Sequence, residues 1–238
     1  MHKLKEGCLK ACSFYLALFI ITSLLFACKS SVPVRETEAL PLTNGKLLIL
    51  PFKDMSAIYG KNVSLRCPLC GNVFMTGEVT DDAEDILAQS LISLMESRKG
   101  VELIPPGQAQ GVWSEMLSRD EDRLSERDQI VETGRILGAD VVMAGYVYRF
   151  RERIGTGYSV DSPASAAFDV HLVDVTSGSI LWIGHFDETQ RSLSENLFII
   201  GAFLKRKCAW STVNEMAVSA LEDMLKTLVT PNPEPHKR

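Results

Sequence analysis

The chain has 238 residues, of which 46% are hydrophobic and 23% charged, a balance that suits one globular domain with tails. Its 25 Lys and Arg against 30 Asp and Glu give a formal charge of −5 without any long basic run. Such a chain has no stripe of cations to track phosphates, so nucleic acid is not an expected partner.

The amino-terminal segment differs from everything after it. "MHKLKEGCLK" carries Lys3, Lys5 and Lys10, and the next seventeen residues, "ACSFYLALFIITSLLFA", hold no charge. A basic region followed by an apolar one describes a signal peptide over 1–27, with a transmembrane anchor as the alternative. "LFAC" at 25–28 resembles the lipobox of bacterial lipoproteins, with Phe26 standing where a smaller residue is usual. The resemblance implies cleavage before Cys28, acylation of its thiol and amine, palmitate included, and a domain held in water beside a membrane leaflet. Lys29, in place of an Asp, implies sorting to the outer membrane, with the domain in the periplasm. Removing 1–27 takes three lysines and one glutamate, so 25 basic and 30 acidic residues become 22 and 29 and the charge becomes −7. Cys67, Cys70 and Cys208 are then the remaining thiols, too few for a disulfide framework.

Residues 28–45 contain two prolines and no periodicity, and are expected to be a lipidated tether. "KLLILPF" at 46–52 is a buried strand closed by Pro51. The stretch 53–79 shows no period and is expected to be an irregular insert. From 81 the period becomes helical: Ala83, Ile86, Leu87, Leu91, Leu94 and Met95 share a side, acidic residues open the helix and Gly100 closes it. "VELIP" is a second strand, stopped by Pro105 and Pro106. A helix over 109–117 follows, then one capped by Ser125 with Asp128 and ended at Gly138.

After Gly138 the period becomes two. "ADVVMAGYVYRFR" is expected to be a strand leaving the core, with Tyr146, Tyr148 and Phe150 on one side. Residues 151–165 look like a long Gly/Ser loop. "AAFDVHLVDV" and "SILWIGHFDE" flank "TSG", and a three-residue turn with Gly178 left-handed sets Leu172 opposite Trp182 and Phe168 opposite Phe186. That register groups Phe168, Val170, Leu172, Ile180, Trp182 and Phe186 on one face. Thr212 and Glu215 form a capping box before a broad apolar stripe ending at Leu228, and 231–238 is a proline-rich tail. The body, 46–230, is thus an α/β (α+β) domain with a mixed, largely antiparallel sheet and helices packed on it.

Chemistry has few footholds. Cys67-Pro-Leu-Cys70 has the spacing of half a zinc site or of a redox dithiol, but no second Cys-x-x-Cys or His-x-x-His exists and "GNVFMTGEV" after it is not helical. A local disulfide or a pair of quiet thiols is the expectation, with Cys67 and Cys70 as weak metal candidates, and no metal or other cofactor is assigned. The hairpin register brings Asp169, His171, His185 and Asp187 to one polar face, expected to be the solvent side. Those four become of interest only if Cys67 or Cys70 lies beside them. No nucleophile elbow or His-Glu-x-x-His helix is present, so no catalytic residue is assigned. "SENLFIIGAFLKRK" at 194–207 is read as core or as a contact surface.

"LLILPFKD", "VELIPP", "GRILGADVVMAGYVYRFRER", "FDVHLVDVTSGSILWIGHFDET" and "AWSTVNEMAVSALEDMLKTL" together resemble the α/β domain of exported bacterial proteins such as the CsgG, TolB amino-terminal and LpoB families. The resemblance spans about 46–229. It implies a non-enzymatic scaffold or adaptor for an envelope assembly, binding other envelope proteins, with a CsgG-like oligomeric secretion channel as the alternative. The surfaces expected to bind are 53–79, 151–165 and 197–204.

Overall fold

Leu47 and Ile49 point one way and Leu48 and Leu50 the other, and all four are buried, so the first strand is covered on both faces. That strand, β1 (Gly45–Ile49), organises the computed structural model, which describes residues 45–98, 100–118, 124–155, 160–190 and 211–228. The proposed signal peptide, Cys28, the tether up to residue 44, Cys208, the run 194–207 and the tail 231–238 lie outside the described residues, and Gly45, the tether's last residue, already belongs to β1.

The elements after β1 are β2 (Lys53–Asp54), α1 (Met55–Tyr59), β3 (Ser64–Arg66), β4 (Val73–Met75), α2 (Ala83–Glu96), β5 (Val101–Leu103) and α3 (Pro106–Ser118). They continue with α4 (Glu126–Ile136), β6 (Val141–Arg151), β7 (Ile154–Gly155), β8 (Val160–Ser162), β9 (Ser165–Asp174), β10 (Ile180–Thr189) and α5 (Val213–Lys226). The main sheet runs β10-β9-β6-β1-β5, with β2 also paired to β6. β1 is parallel to β5 and β6, whereas the long strands β6, β9 and β10 are antiparallel. The sheet is mixed and, by length of pairing, largely antiparallel, as expected.

One face packs α2 and α5. Leu87, Leu91 and Met95 from α2 and Ala217, Leu221 and Leu225 from α5 meet Val141, Met143, Phe168, Val170 and Leu172. Arg98, just past α2, donates to the backbone carbonyls of Leu225 and Leu228 and so satisfies the open end of α5. The opposite face carries Val142, Ala144, Tyr146, Tyr148 and Val173, covered by Trp113 of α3, Ile130 of α4 and the β3–β4 hairpin. Both capping boxes, Ser125 with Asp128 and Thr212 with Glu215, form as expected.

The turn corrects the expectation by one residue: a three-residue turn 176–178 needs Val175 opposite Ser179, but the Asp174 amide donates to the Ser179 carbonyl at 2.9 Å and Ile180 pairs with Val173, so 175–178 form the loop, with Gly178 at φ +67°. Beyond it the expected pairs are present, Trp182 with Leu172, Phe186 with Phe168 and His185 with Asp169. Two bulges correct the assignment of faces. One between Ile180 and Trp182 moves Ile180 to the opposite face, where it packs with Val173 and its neighbours. The other, between Val147 and Arg149 of β6, turns Phe150 away from Tyr146 and Tyr148 to join Val147 on the helix side. β6 does not leave the core there; Phe150 is fully buried. A bulge adds one residue to a period of two, so no alternation read from one strand can reveal it.

The insert 53–79 is not irregular. It contains α1, capped by the Asp54 carboxylate on the amides of Ser56 and Ala57, and the hairpin β3–β4, in which Leu65 pairs with Phe74. The expected loop 151–165 likewise holds the short pair β7–β8. Elements of two to five residues are too brief to show a period and are held by what they pack against.

Candidate metal centre

The β3–β4 hairpin lies on the sheet as a flap whose tip is the loop 67–72. Phe74 anchors it, buried and stacked on Tyr148 with ring centroids 4.2 Å apart and planes 10° from parallel. Leu69 and Cys67 add to the same apolar cluster, and Arg127 of α4 donates to the Leu69 carbonyl at 3.4 Å. Behind β4, Ser56 Oγ donates to the Gly77 carbonyl at 2.5 Å and the Gly77 amide to the Tyr148 carbonyl at 2.9 Å, which fixes where the flap leaves the sheet.

The loop is tied within itself. The Cys67 amide donates to the Asn72 carbonyl at 2.7 Å, and the Gly71 amide to the Cys67 carbonyl at 3.0 Å. Gly71 takes φ +77°, a left-handed conformation that glycine adopts without a Cβ penalty. The resulting turn aims the Leu69 amide at Cys67 Sγ, 3.4 Å away. Both thiols are free; Cys67 is buried and Cys70 half-buried.

Beneath this tip lie Asp169 and His171 of β9. Their position corrects the expectation that they face solvent: both are fully buried, because the flap covers that part of the sheet. Cys67 Sγ is 3.5 Å from His171 Nε2, Cys70 Sγ 3.9 Å from Asp169 Oδ2, and His171 Nε2 3.7 Å from Asp169 Oδ2. The four donor atoms all lie within 4.8 Å of one another. Tyr148 Oη donates to Asp169 at 3.3 Å, and the Tyr146 ring sits edge-on to His171 with centroids 5.9 Å apart. His185 and Asp187, the other half of the polar face, remain exposed on β10, where Asp187 pairs with Arg149 at 2.5 Å. The strand register made Asp169 and His171 neighbours legible, and the Cys-x-x-Cys was legible by itself. Their meeting across about a hundred residues of chain was not.

Burial governs the charges in this cluster. It pushes the Cys67 thiol up, with the Asp169 carboxylate adding to the effect and the amides of Cys70 and Leu69 opposing it. It raises Asp169 to about 7 against hydrogen bonds from Cys67, Tyr148 and Cys70, and lowers His171 to about 4, so the imidazole is neutral at ordinary pH. A raised, buried thiol is the opposite of a catalytic one, which needs a depressed pKa and access to substrate. The donor set suits a soft or borderline divalent ion, whose charge would compensate what burial penalises. A second concavity, about 440 Å³ and lined by Lys61, Thr76, Glu78, Arg149 and Arg151 among others, offers no comparable set. Arg149 there is already spent on Asp187, Ser165 and the Met75 carbonyl.

Residues 76–187 match the family model of the peptidoglycan-synthase activator LpoB. The matched stretch, just under half of the chain, runs from the end of the flap to β10 and includes Asp169 and His171 but neither Cys67 nor Cys70. No curated protein matches the sequence. Among solved structures the chain is similar to the PelC dodecamer from Paraburkholderia phytofirmans, at 16% identity and a TM-score of 0.42, covering 80% of this chain and 91% of that one. It is also similar to the LpoB C-terminal domain from Escherichia coli, at 16% identity and 0.36, covering 62% and 84%. A third likeness is to lipoprotein GNA1162 from Neisseria meningitidis, at 16% identity and 0.38, covering 69% and 98%. Among the described residues, no helix is long and apolar enough to cross a membrane.

Proposed function

We propose that this protein is a non-enzymatic lipoprotein, anchored through Cys28 in the outer membrane, whose domain works in the periplasm by binding a partner of the envelope. The observation that carries the reading is the match of 76–187 to a family named for activating a peptidoglycan synthase. A peptidoglycan synthase is therefore the first partner class to test. The basic and apolar character of 1–27 and the Cys at 28 support export and lipid attachment.

The insert supplies a surface suited to such binding. Ile58 and Tyr59 at the end of α1, Val63, and Val73 and Met75 on the outer side of β4 are all about half exposed. Thr76 Oγ1 accepts from the Val63 amide at 2.8 Å and donates to the Gly60 carbonyl at 2.8 Å, which ties the end of α1 to both strands of the hairpin that carry these side chains. Desolvating such side chains is what drives protein association, with specificity left to the polar rim.

The test is whether the full chain in mild detergent binds the soluble domain of a peptidoglycan synthase from the same cells. Binding that weakens at least tenfold in a Tyr59→Ser, Met75→Ser variant, together with loss of membrane attachment in Cys28→Ser, is the expected result. A ring of many copies by light scattering, with no synthase binding, would replace the adaptor by a secretion-channel component. A Cys28→Ser chain still attached to the membrane would remove the lipid anchor.

A further inference from the structure

We propose that Cys67, Cys70, Asp169 and His171 form a tetrahedral zinc(II) site that clamps the β3–β4 flap to strand β9. The site is independent of the partner-binding reading and can fail or stand without it.

The distances carry the proposal. With Zn–S near 2.3 Å and Zn–N or Zn–O near 2.0–2.2 Å, a regular tetrahedron has sulfur-to-nitrogen or sulfur-to-oxygen edges of about 3.6 Å and a nitrogen-to-oxygen edge of about 3.4 Å. The observed edges are 3.5 Å for Cys67 to His171, 3.9 Å for Cys70 to Asp169 and 3.7 Å for His171 to Asp169. These three edges differ from the regular figure by about 0.1–0.3 Å, and the other three are no longer than 4.8 Å, so the donors already stand around one point that an ion would draw them onto. Two thiolates, one imidazole and one carboxylate are all donor types that zinc takes, the carboxylate standing where the common closed sites have a second imidazole.

The surroundings are built around those donors. The turn held by Gly71 places an amide on Cys67 Sγ, the kind of donor that favours a thiolate once a cation is present. Tyr148 Oη holds the Asp169 carboxylate, and its ring is packed under Phe74, so the carboxylate is fixed by a group that is itself fixed. His171 Nε2 faces the cluster, 3.5 Å from Cys67 Sγ, and the Tyr146 ring lies edge-on to the imidazole. The flap has two strands of three residues, too small to be stable by itself, and its two cysteines lie 104 and 99 residues before their partners on β9. A metal bridging that separation is a structural clamp of the kind small elements use in place of a large core.

The experiment takes the full chain in mild detergent, reduced and stripped with a chelator, and titrates it with zinc alone while free thiols are counted. The expected result is one zinc per chain, protection of two thiols against an aromatic disulfide reagent, and, with cobalt(II) substituted, tetrahedral d–d bands with thiolate charge transfer. Cys70→Ser and His171→Gln should abolish stoichiometric binding, and Cys208→Ser should leave it unchanged. Tyr148→Phe, which keeps the stack on Phe74, should fold and bind zinc about 10–100-fold more weakly. Three outcomes would overturn the site: no zinc uptake by the reduced chain, octahedral cobalt without charge transfer, or a Cys67–Cys70 disulfide in protein alkylated directly in cells.

Discussion

Phe74→Ala should open the flap without touching any proposed ligand. Phe74 is only 3% exposed, and its stack on Tyr148 is the one aromatic anchor of a hairpin that otherwise adds Leu65, Leu69 and Cys67 to the sheet. Truncating a buried Phe to Ala costs about 3–5 kcal/mol, of which the aromatic pairing is about 0.5–1.5. At about 1.4 kcal/mol for each factor of ten, even the lower end raises the population of the open flap by about 10²-fold. The assay is the rate at which Cys67 is alkylated in the reduced, chelated protein, read by peptide mass. When opening and closing are fast beside alkylation, that rate follows the open population, so it should rise by about 10²-fold in Phe74→Ala. Tyr148→Phe retains the ring and should change it little. An acceleration below about tenfold in Phe74→Ala, or an equal one in Tyr148→Phe, would refute the view that the stack holds the flap down.

Other expectations follow from single contacts. A Cβ on Gly145 would meet the buried Phe52 ring at 2.4–2.6 Å, so Gly145→Ala should lower urea stability by about 1–3 kcal/mol, and Phe52→Leu in the same chain should restore part of it. Arg98→Ala removes the donors at the end of α5 and should cost about 1 kcal/mol by chemical denaturation, a modest figure because the side chain is half-exposed. His185→Ala should leave zinc stoichiometry unchanged, since that imidazole is exposed on β10 and outside the cluster; a loss of metal there would mean that the wrong histidine is assigned.

What was legible in the sequence and what was not divide along one physical line. Helices α2, α4 and α5 carry a full period over eleven or more residues, and α4 and α5 also their own capping boxes, so local chemistry alone announces them. The β9–β10 pairs were legible because one register keeps Phe168, Leu172, Trp182 and Phe186 together, although the turn is one residue longer than expected and the bulge at 180–182 absorbs the difference. The bulges at 147–149 and 180–182 were not, since nothing in the neighbouring side chains marks an extra residue. The flap was not legible either: strands of three residues have no period, and their positions come from Phe74 on Tyr148 and from the backbone bonds at Gly77.

The same division explains the candidate centre. A strand with Asp169 and His171 alternating against Phe168, Val170 and Leu172 reads as half-buried, and polar residues at that period ordinarily belong to the solvent side. Here both faces of β9 are covered, so two ionisable groups sit where apolar ones cost less, and burial drives each toward its neutral form. The Cys-x-x-Cys carries the complementary puzzle, a metal-type spacing with half its ligands missing. Neither half has a ligand set by itself, and the flap that brings them together is also what buries them. Two features that each look unfavourable alone are thus accounted for by one ion, which is why the cluster, rather than the polar groove beside Arg149, is where chemistry should be sought first.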